Sequence, residues 1–252
     1  MLILFIVVSS VWITCGTIFV VRNIEIIDMT VPAAELLSAD EKNDIINKSG
    51  LMGKNILFNL HEDKIAEGIK SVNPMIKLQT VTAEFPNRVI LQVSRRVPVY
   101  YDQKNEKYFD AEMCVVDAPP SSKCVDITNA NIVLASDEFK VGDIVAGKDE
   151  RAQSKIDQLK IIATAGLFES LDGFKISYDD SVENVGANRL YLIMQINQGV
   201  TFKIRVKPNE NFLHALDYTV QYYEQNNKID GVYETVYAES DNKLTSNWSE
   251  NE

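Results

Sequence analysis

The chain has 252 residues, of which 46% are hydrophobic and 24% charged, an ordinary globular composition that excludes wholesale disorder. Its 25 Lys and Arg against 36 Asp and Glu give a net charge of -11, which argues against an extended footprint on nucleic acid or on anionic lipid. Through Pro98 there are 10 basic and 10 acidic residues, against 15 and 26 beyond it, an asymmetry that points to two domains.

Residues 1–21 carry no charge. At ~1.5 Å rise per residue they would span roughly 31 Å, the thickness of a bilayer core, so they read as a single membrane anchor. A cleaved signal peptide would have a basic start, a shorter apolar core and a small-x-small end. Here Trp12 and Ile13 fill the core and Phe19-Val20-Val21 its end. Only Arg22 closely follows, so charge does not orient the segment. Ile24, Ile26 and Met29 then alternate with polar residues as a short strand. Ser38-Ala39-Asp40-Glu41 is a capping box that opens a helix ending near Gly50. Past the loop 53–60, Ile65, Ile69 and Val72 form the stripe of a second helix, stopped by Asn73-Pro74. Ile76 to Phe85 is a strand, Pro86-Asn87 a turn, and Val89, Leu91 and Val93 mark the next strand. The order strand, helix, helix, strand, strand occupies residues 22–98.

Residues 99–239 read as a second, mixed β domain with flanking helices. Strands are expected at Val99-Tyr100-Tyr101 and Lys107-Tyr108-Phe109, and a hairpin from Cys114 to Val125 around Pro119-Pro120-Ser121-Ser122. Strands paired across that turn would bring Cys114 and Cys124 within disulfide range; the alternative is two unrelated small apolar residues. Cys15 belongs to the anchor. Val141-Gly142-Asp143 marks a turn before a helix with Ala152, Ile156, Leu159 and Ala163 on one face and Gly166 as its stop. Leu190, Leu192, Met194 and Ile196 lead through Asn197-Gln198-Gly199 to Val200, Phe202, Ile204 and Val206, a hairpin with one core face and one wet face. A last helix aligns Leu213, Leu216, Val220 and Tyr223, and Val232 to Ala238 is a closing strand. Residues 240–252 are polar and expected to be disordered, with Trp248 a conspicuous apolar exception. The fold class is α+β.

Little of the sequence invites chemistry. Gly142 to Lys148 has phosphate-loop spacing, but Asp149 stands where Ser or Thr should hold magnesium, and Asp143 would oppose a phosphate. His61-Glu62-Asp63 reads as a polar helix start, and Asp179, Asp180 and Glu183 lack the spacing of a calcium loop. With two distant histidines, His61 and His214, there is little material for a general base. We expect a non-enzyme with no cofactor, no metal and no small-molecule substrate.

The words Gly53-x-Asn55-Ile56-x-Phe58-x-Leu60, Asn73-Pro74-x-Ile76, Val81-x-x-x-Phe85-Pro86-Asn87 and Leu91-x-Val93-x-x-Arg96-x-Pro98-Val99 follow one apolar run in order. Together they resemble the bacterial cell-division family FtsQ/DivIB, whose chains carry an anchor, a POTRA domain and a β domain. One departure is Arg95, where the family usually has an acidic residue. Ile229-Asp230-Gly231-Val232-Tyr233 matches a family word in three of five positions. The resemblance implies a scaffold of the division complex in the cytoplasmic membrane. It would bind small bitopic coiled-coil division proteins and other divisome membrane proteins, and link septal wall synthesis to assembly. The closing strand is the expected partner site: a C-terminal strand is often an edge, and Tyr233 and Tyr237 project from one face beside Val232, Thr235 and Val236. Its plain alternative is an internal strand paired on both sides. The strand Ile76 to Phe85 is a second docking candidate. Two other functions remain as alternatives: a POTRA-containing polypeptide transport or envelope-assembly factor, and an anchored wall-active enzyme.

Overall fold

The computed structural model describes residues 16–30, 36–118, 123–164, 175–186, 189–196, 199–206, 211–238 and 243–250, which fall into two compact units, 1–96 and 97–252. The first unit runs β1 (Asn23–Asp28), α1 (Ala39–Lys48), α2 (Glu62–Val72), β2 (Ile76–Glu84) and β3 (Arg88–Arg95). This is the expected order. β3 is central in the sheet β1-β3-β2, parallel to β1 and antiparallel to β2. Its period-two pattern buries Val89, Leu91 and Val93 on one face, where they share a core with Ile24, Ile45, Ile65 and Ile69.

The capping box is present: Glu41 N–H donates to Ser38 Oγ (3.2 Å) and Ser38 N–H to Glu41 Oε2 (2.9 Å). Gly68 lets α2 approach the end of α1, because a Cβ there would lie 2.5 Å from the Lys48 carbonyl oxygen. Arg95, the departure from the family pattern, makes an ion pair of its own with Glu41 (3.0 Å). The Ser38 amide first, and then Arg95, hold the Glu41 carboxyl below its ordinary value of 4.5 against the opposing pull of burial.

Residues 1–15, most of the expected anchor, lie outside the described residues, and among those described no helix is long and apolar enough to cross a membrane. The end of the apolar run departs from expectation. Phe19 carbonyl accepts from Ile56 N–H (2.8 Å), Val21 N–H donates to the Lys54 carbonyl (2.9 Å), and Val21 is buried in the first unit's core. Apolar residues facing lipid and apolar residues facing a core look alike in sequence, and the last three residues of the expected anchor belong to the first unit.

The second unit builds one nine-stranded sheet from β4 (Tyr100–Asp102), β5 (Lys107–Phe109), β6 (Val115–Val116), β7 (Val125–Asp126), β8 (Lys175–Tyr178), β9 (Leu190–Gln195), β10 (Val200–Val206), β11 (Gly231–Ala238) and β12 (Lys243–Ser249). The spatial order is β12-β11-β10-β9-β8-β7-β4-β5-β6. Helices α3 (Glu150–Thr164), α4 (Val182–Gly186) and α5 (Phe212–Gln225) complete it. Ile156, Leu159 and Ile162 of α3 and Phe212, Ala215 and Leu216 of α5 join Leu192, Met194, Phe202 and Ile204 in a single core. The β9–β10 hairpin forms as expected, with Phe202 opposite Met194 and Ile204 opposite Leu192; Gly166 and the turn residues 197–198 lie outside the described residues.

Three expectations fail here. The Cys114–Val125 hairpin does not form: β6 pairs with β5, while β7 lies between β4 and β8. Two strands separate β6 from β7, so the cysteines beside them are roughly 14 Å apart at ~4.8 Å per strand, beyond the reach of a disulfide. Cys114 and Cys124 are free thiols. Second, the predicted stripe of α5 holds at Leu216, Val220 and Tyr223, which pack on the core, but not at Leu213. The Asn211 side chain caps His214 N–H and starts the helix at Phe212, so that Phe212, Ala215, Leu216 and Thr219 face inward and Leu213 is 46% exposed. Third, residues 243–249 are not a disordered tail but β12. Leu244, Ser246 and Trp248 share one face of it and polar residues the other, a pattern an edge strand tolerates.

Candidate functional site

Val232, Tyr233, Thr235, Val236 and Tyr237 all lie on β11, and β11 is not an edge. It pairs parallel with β10 and antiparallel with β12. The aromatic face expected to meet a partner instead meets the protein's own core. Tyr233 is wholly buried, its ring 5.0 to 6.0 Å from those of Tyr223, Phe202 and Tyr222, and its hydroxyl donates to the Ile229 carbonyl (2.6 Å). Burial, then the neighbouring tyrosines, push that hydroxyl's pKa up. Thr235 is buried beside it. Val232 and Val236 are half-buried on the other face with Glu234, whose carboxylate accepts the Tyr191 hydroxyl. The side chain of Tyr237 lies outside the described residues; its backbone pairs with Leu244.

The edge is β12, one strand further on. Among the described residues its only ladder is with β11, with Tyr233 opposite Trp248, Thr235 opposite Ser246 and Tyr237 opposite Leu244. Leu244 reaches the core, whereas Trp248 remains 37% exposed at its rim. The Trp248 indole lies over Gly231, where any Cβ would overlap it. A chain of hydroxyls ties the edge to the helix beneath. Thr219 Oγ1 lies 2.8 Å from both the Ala215 carbonyl and Thr235 Oγ1, and Thr235 Oγ1 lies 2.5 Å from Ser246 Oγ. The edge is therefore held in register by satisfied polar contacts in a mostly apolar setting. An unpaired ladder of amides and carbonyls beside an exposed indole can accept an extended segment from another chain.

Sequence reasoning missed Leu244, Ser246 and Trp248. Their alternation is a weak strand signal inside a Ser, Asn and Glu-rich stretch, and polarity outweighed it. The other docking candidate, β2, does form an outer edge of its sheet, but its register shifts between Leu78 and Thr80, a bulge that disfavours added strands.

The remaining tempting residues are structural. Asp143 Oδ2 accepts Lys140 N–H (3.0 Å), and Asp149 Oδ1 accepts Ala152 N–H (2.7 Å) at the start of α3. Asp180 takes Arg151 (3.1 Å) and the buried Lys155 (2.7 Å). Lys155 also donates to the Ala130 and Asn131 carbonyls and lies over the Tyr178 ring. His61 precedes α2 without capping it, and the Glu183 side chain lies outside the described residues. Among the described residues no group of three or more His, Cys, Asp and Glu side chains is placed to hold a metal.

Comparison with known proteins agrees with the fold of the first unit. A family model described as a POTRA domain of FtsQ type matches residues 40–96. The chain is also similar to the cell division protein DivIB of Clostridium tetani (29% identical over 69 residues, 27% of this chain and 26% of that protein). It is similar as well to DivIB of Clostridium botulinum (27% over 112 residues, 44% of this chain and 43% of that protein). The matched stretches thus span less than half the length of either relative.

Proposed function

From the chain's similarity to the FtsQ-type POTRA model and to two DivIB proteins, we propose that it is a membrane-anchored scaffold of the bacterial division complex. It works by binding, with the apolar run before Phe19 holding it in the cytoplasmic membrane and the bulk of the chain outside the cytoplasm, at the septum. The observation that carries the binding mechanism is the open edge of β12, an unpaired ladder with Trp248 exposed beside it. A segment of a small bitopic coiled-coil division protein adds to β12 as a further strand, and Trp248 anchors it.

An N-terminal fluorescent fusion of the full chain tests the role: it concentrates at midcell in dividing cells, whereas a uniform envelope signal would favour transport or assembly. Calorimetry with the small bitopic division proteins tests the site. Trp248→Ala weakens capture by about tenfold or more with little change in melting temperature. Unchanged affinity would remove β12 from the mechanism.

A further inference from the structure

The first unit has seven exposed large apolar residues among those described: Ile18, Met29, Leu36, Met52, Leu57, Phe58 and Phe85. Five of them gather at one end. Backbone hydrogen bonds place the loop 52–58 against the residues that leave the apolar run: Gly53 N–H donates to the Val21 carbonyl (3.1 Å) and Ile56 N–H to the Phe19 carbonyl (2.8 Å). The β2–β3 turn comes to the same place, with Arg22 N–H donating to the Asn87 carbonyl (2.9 Å) and the Phe85 ring 5.7 Å from that of Phe19. Met52, Leu57, Phe58 and Phe85 are therefore brought, with Ile18, to the end of the unit where the apolar run leaves it. Phe58 is 71% exposed and Phe85 61%. Met29 lies at the far end of β1, roughly 20 Å away at ~3.3 Å per residue.

We propose that this end of the POTRA domain docks into the interfacial zone of the bilayer, with Phe58 and Phe85 inserted among the lipid headgroups. The proposal rests on the apolar run before Phe19 being a membrane anchor. An apolar cluster of this kind in water is a liability, but at the mouth of an apolar run it lies where the headgroup region begins. The exposed Arg22 and Lys54 flank it and suit lipid phosphates. The exposed Glu62 and Asp63 at the start of α2 oppose a purely electrostatic attachment, so apolar insertion is the term that holds. Docking would fix the tilt of the domain above the membrane and with it the direction of the chain beyond.

The test uses the full chain in phosphatidylcholine vesicles containing brominated lipid, with single-tryptophan variants. Trp248→Phe leaves Trp12 as the anchor reporter. Phe58→Trp, Phe85→Trp and Met29→Trp, each with Trp12→Phe and Trp248→Phe, report on the docked end and on the exposed far end of β1 in the same unit. Expected are strong quenching of Trp12, quenching at least half as strong at position 58 or 85, and none at 29. Positions 58 and 85 unquenched while Trp12 is quenched overturns docking and leaves the anchor standing. Quenching at 58 or 85 without Trp12 supports docking and removes the anchor, and quenching at none removes both. Equal quenching at 29 overturns docking in favour of general adsorption. Thermal melts identify any variant that fails to fold, and the paired positions 58 and 85 each suffice.

Discussion

The two ends of the nine-stranded sheet are treated differently. At the β6 end the chain folds back over its own edge: Val115 N–H donates to the Asp143 carbonyl (2.9 Å), Gly142 N–H to the Val115 carbonyl (2.8 Å) and Val145 N–H to the Met113 carbonyl (3.0 Å). The β12 end has no such cover among the described residues, yet it is seven residues long against two for β6. A long open edge is an aggregation hazard that proteins ordinarily blunt. One end is thus covered by its own chain, while the other is braced from beneath and, among the described residues, uncovered.

The comparison breaks most readily under the open end. Tyr233→Ala removes the centre of the aromatic cluster and should destabilise the second unit by about 3–5 kcal/mol, read as a fall in denaturation midpoint. At the sealed end, the Asp110 carboxylate accepts Cys114 N–H and Glu112 N–H, each at 2.9 Å, and shapes the turn into β6. Asp110→Ala should cost about 2 kcal/mol and raise amide exchange near Val115 while leaving β12 protected. Thr235→Val interrupts the hydroxyl chain at its middle, with an expected loss of about 1 kcal/mol and faster exchange confined to β12. If that variant loosened β6 as well, the two ends would not be independent.

The smallest effect is an acid reference taken in the POTRA domain. Because the Glu41 carboxyl is held below 4.5 when folded, its contribution is present above that value and disappears as pH falls through the folded pKa. Melting temperature should therefore decline on acidification below about pH 4.5, and Glu41→Gln should flatten that decline.

Legibility differed between the domains for a physical reason. The POTRA elements are specified locally: a capping box at Ser38 and Glu41, helical stripes through Ile65 and Ile69, and a turn at Pro86-Asn87. The β9–β10 hairpin was equally readable from its alternation. The candidate site was not, because whether a strand is an edge depends on what pairs with it from elsewhere in the chain. Tyr233 and Tyr237 carry the composition of an interface, and β12 turned the face that Tyr233 occupies into core support.

The sequence by itself determined which segments become helices and strands through most of the chain, and the family it resembles, since those rest on periodicity, caps and short words of adjacent residues. Tertiary structure alone decided the order of strands. It separated Cys114 from Cys124 by two intervening strands, drew Phe19 and Val21 onto the POTRA core, and moved the open edge from β11 to β12. Hydrogen bonding between strands is satisfied by any backbone of suitable register, so the choice among partners is made by the whole core at once and is not written in any one segment.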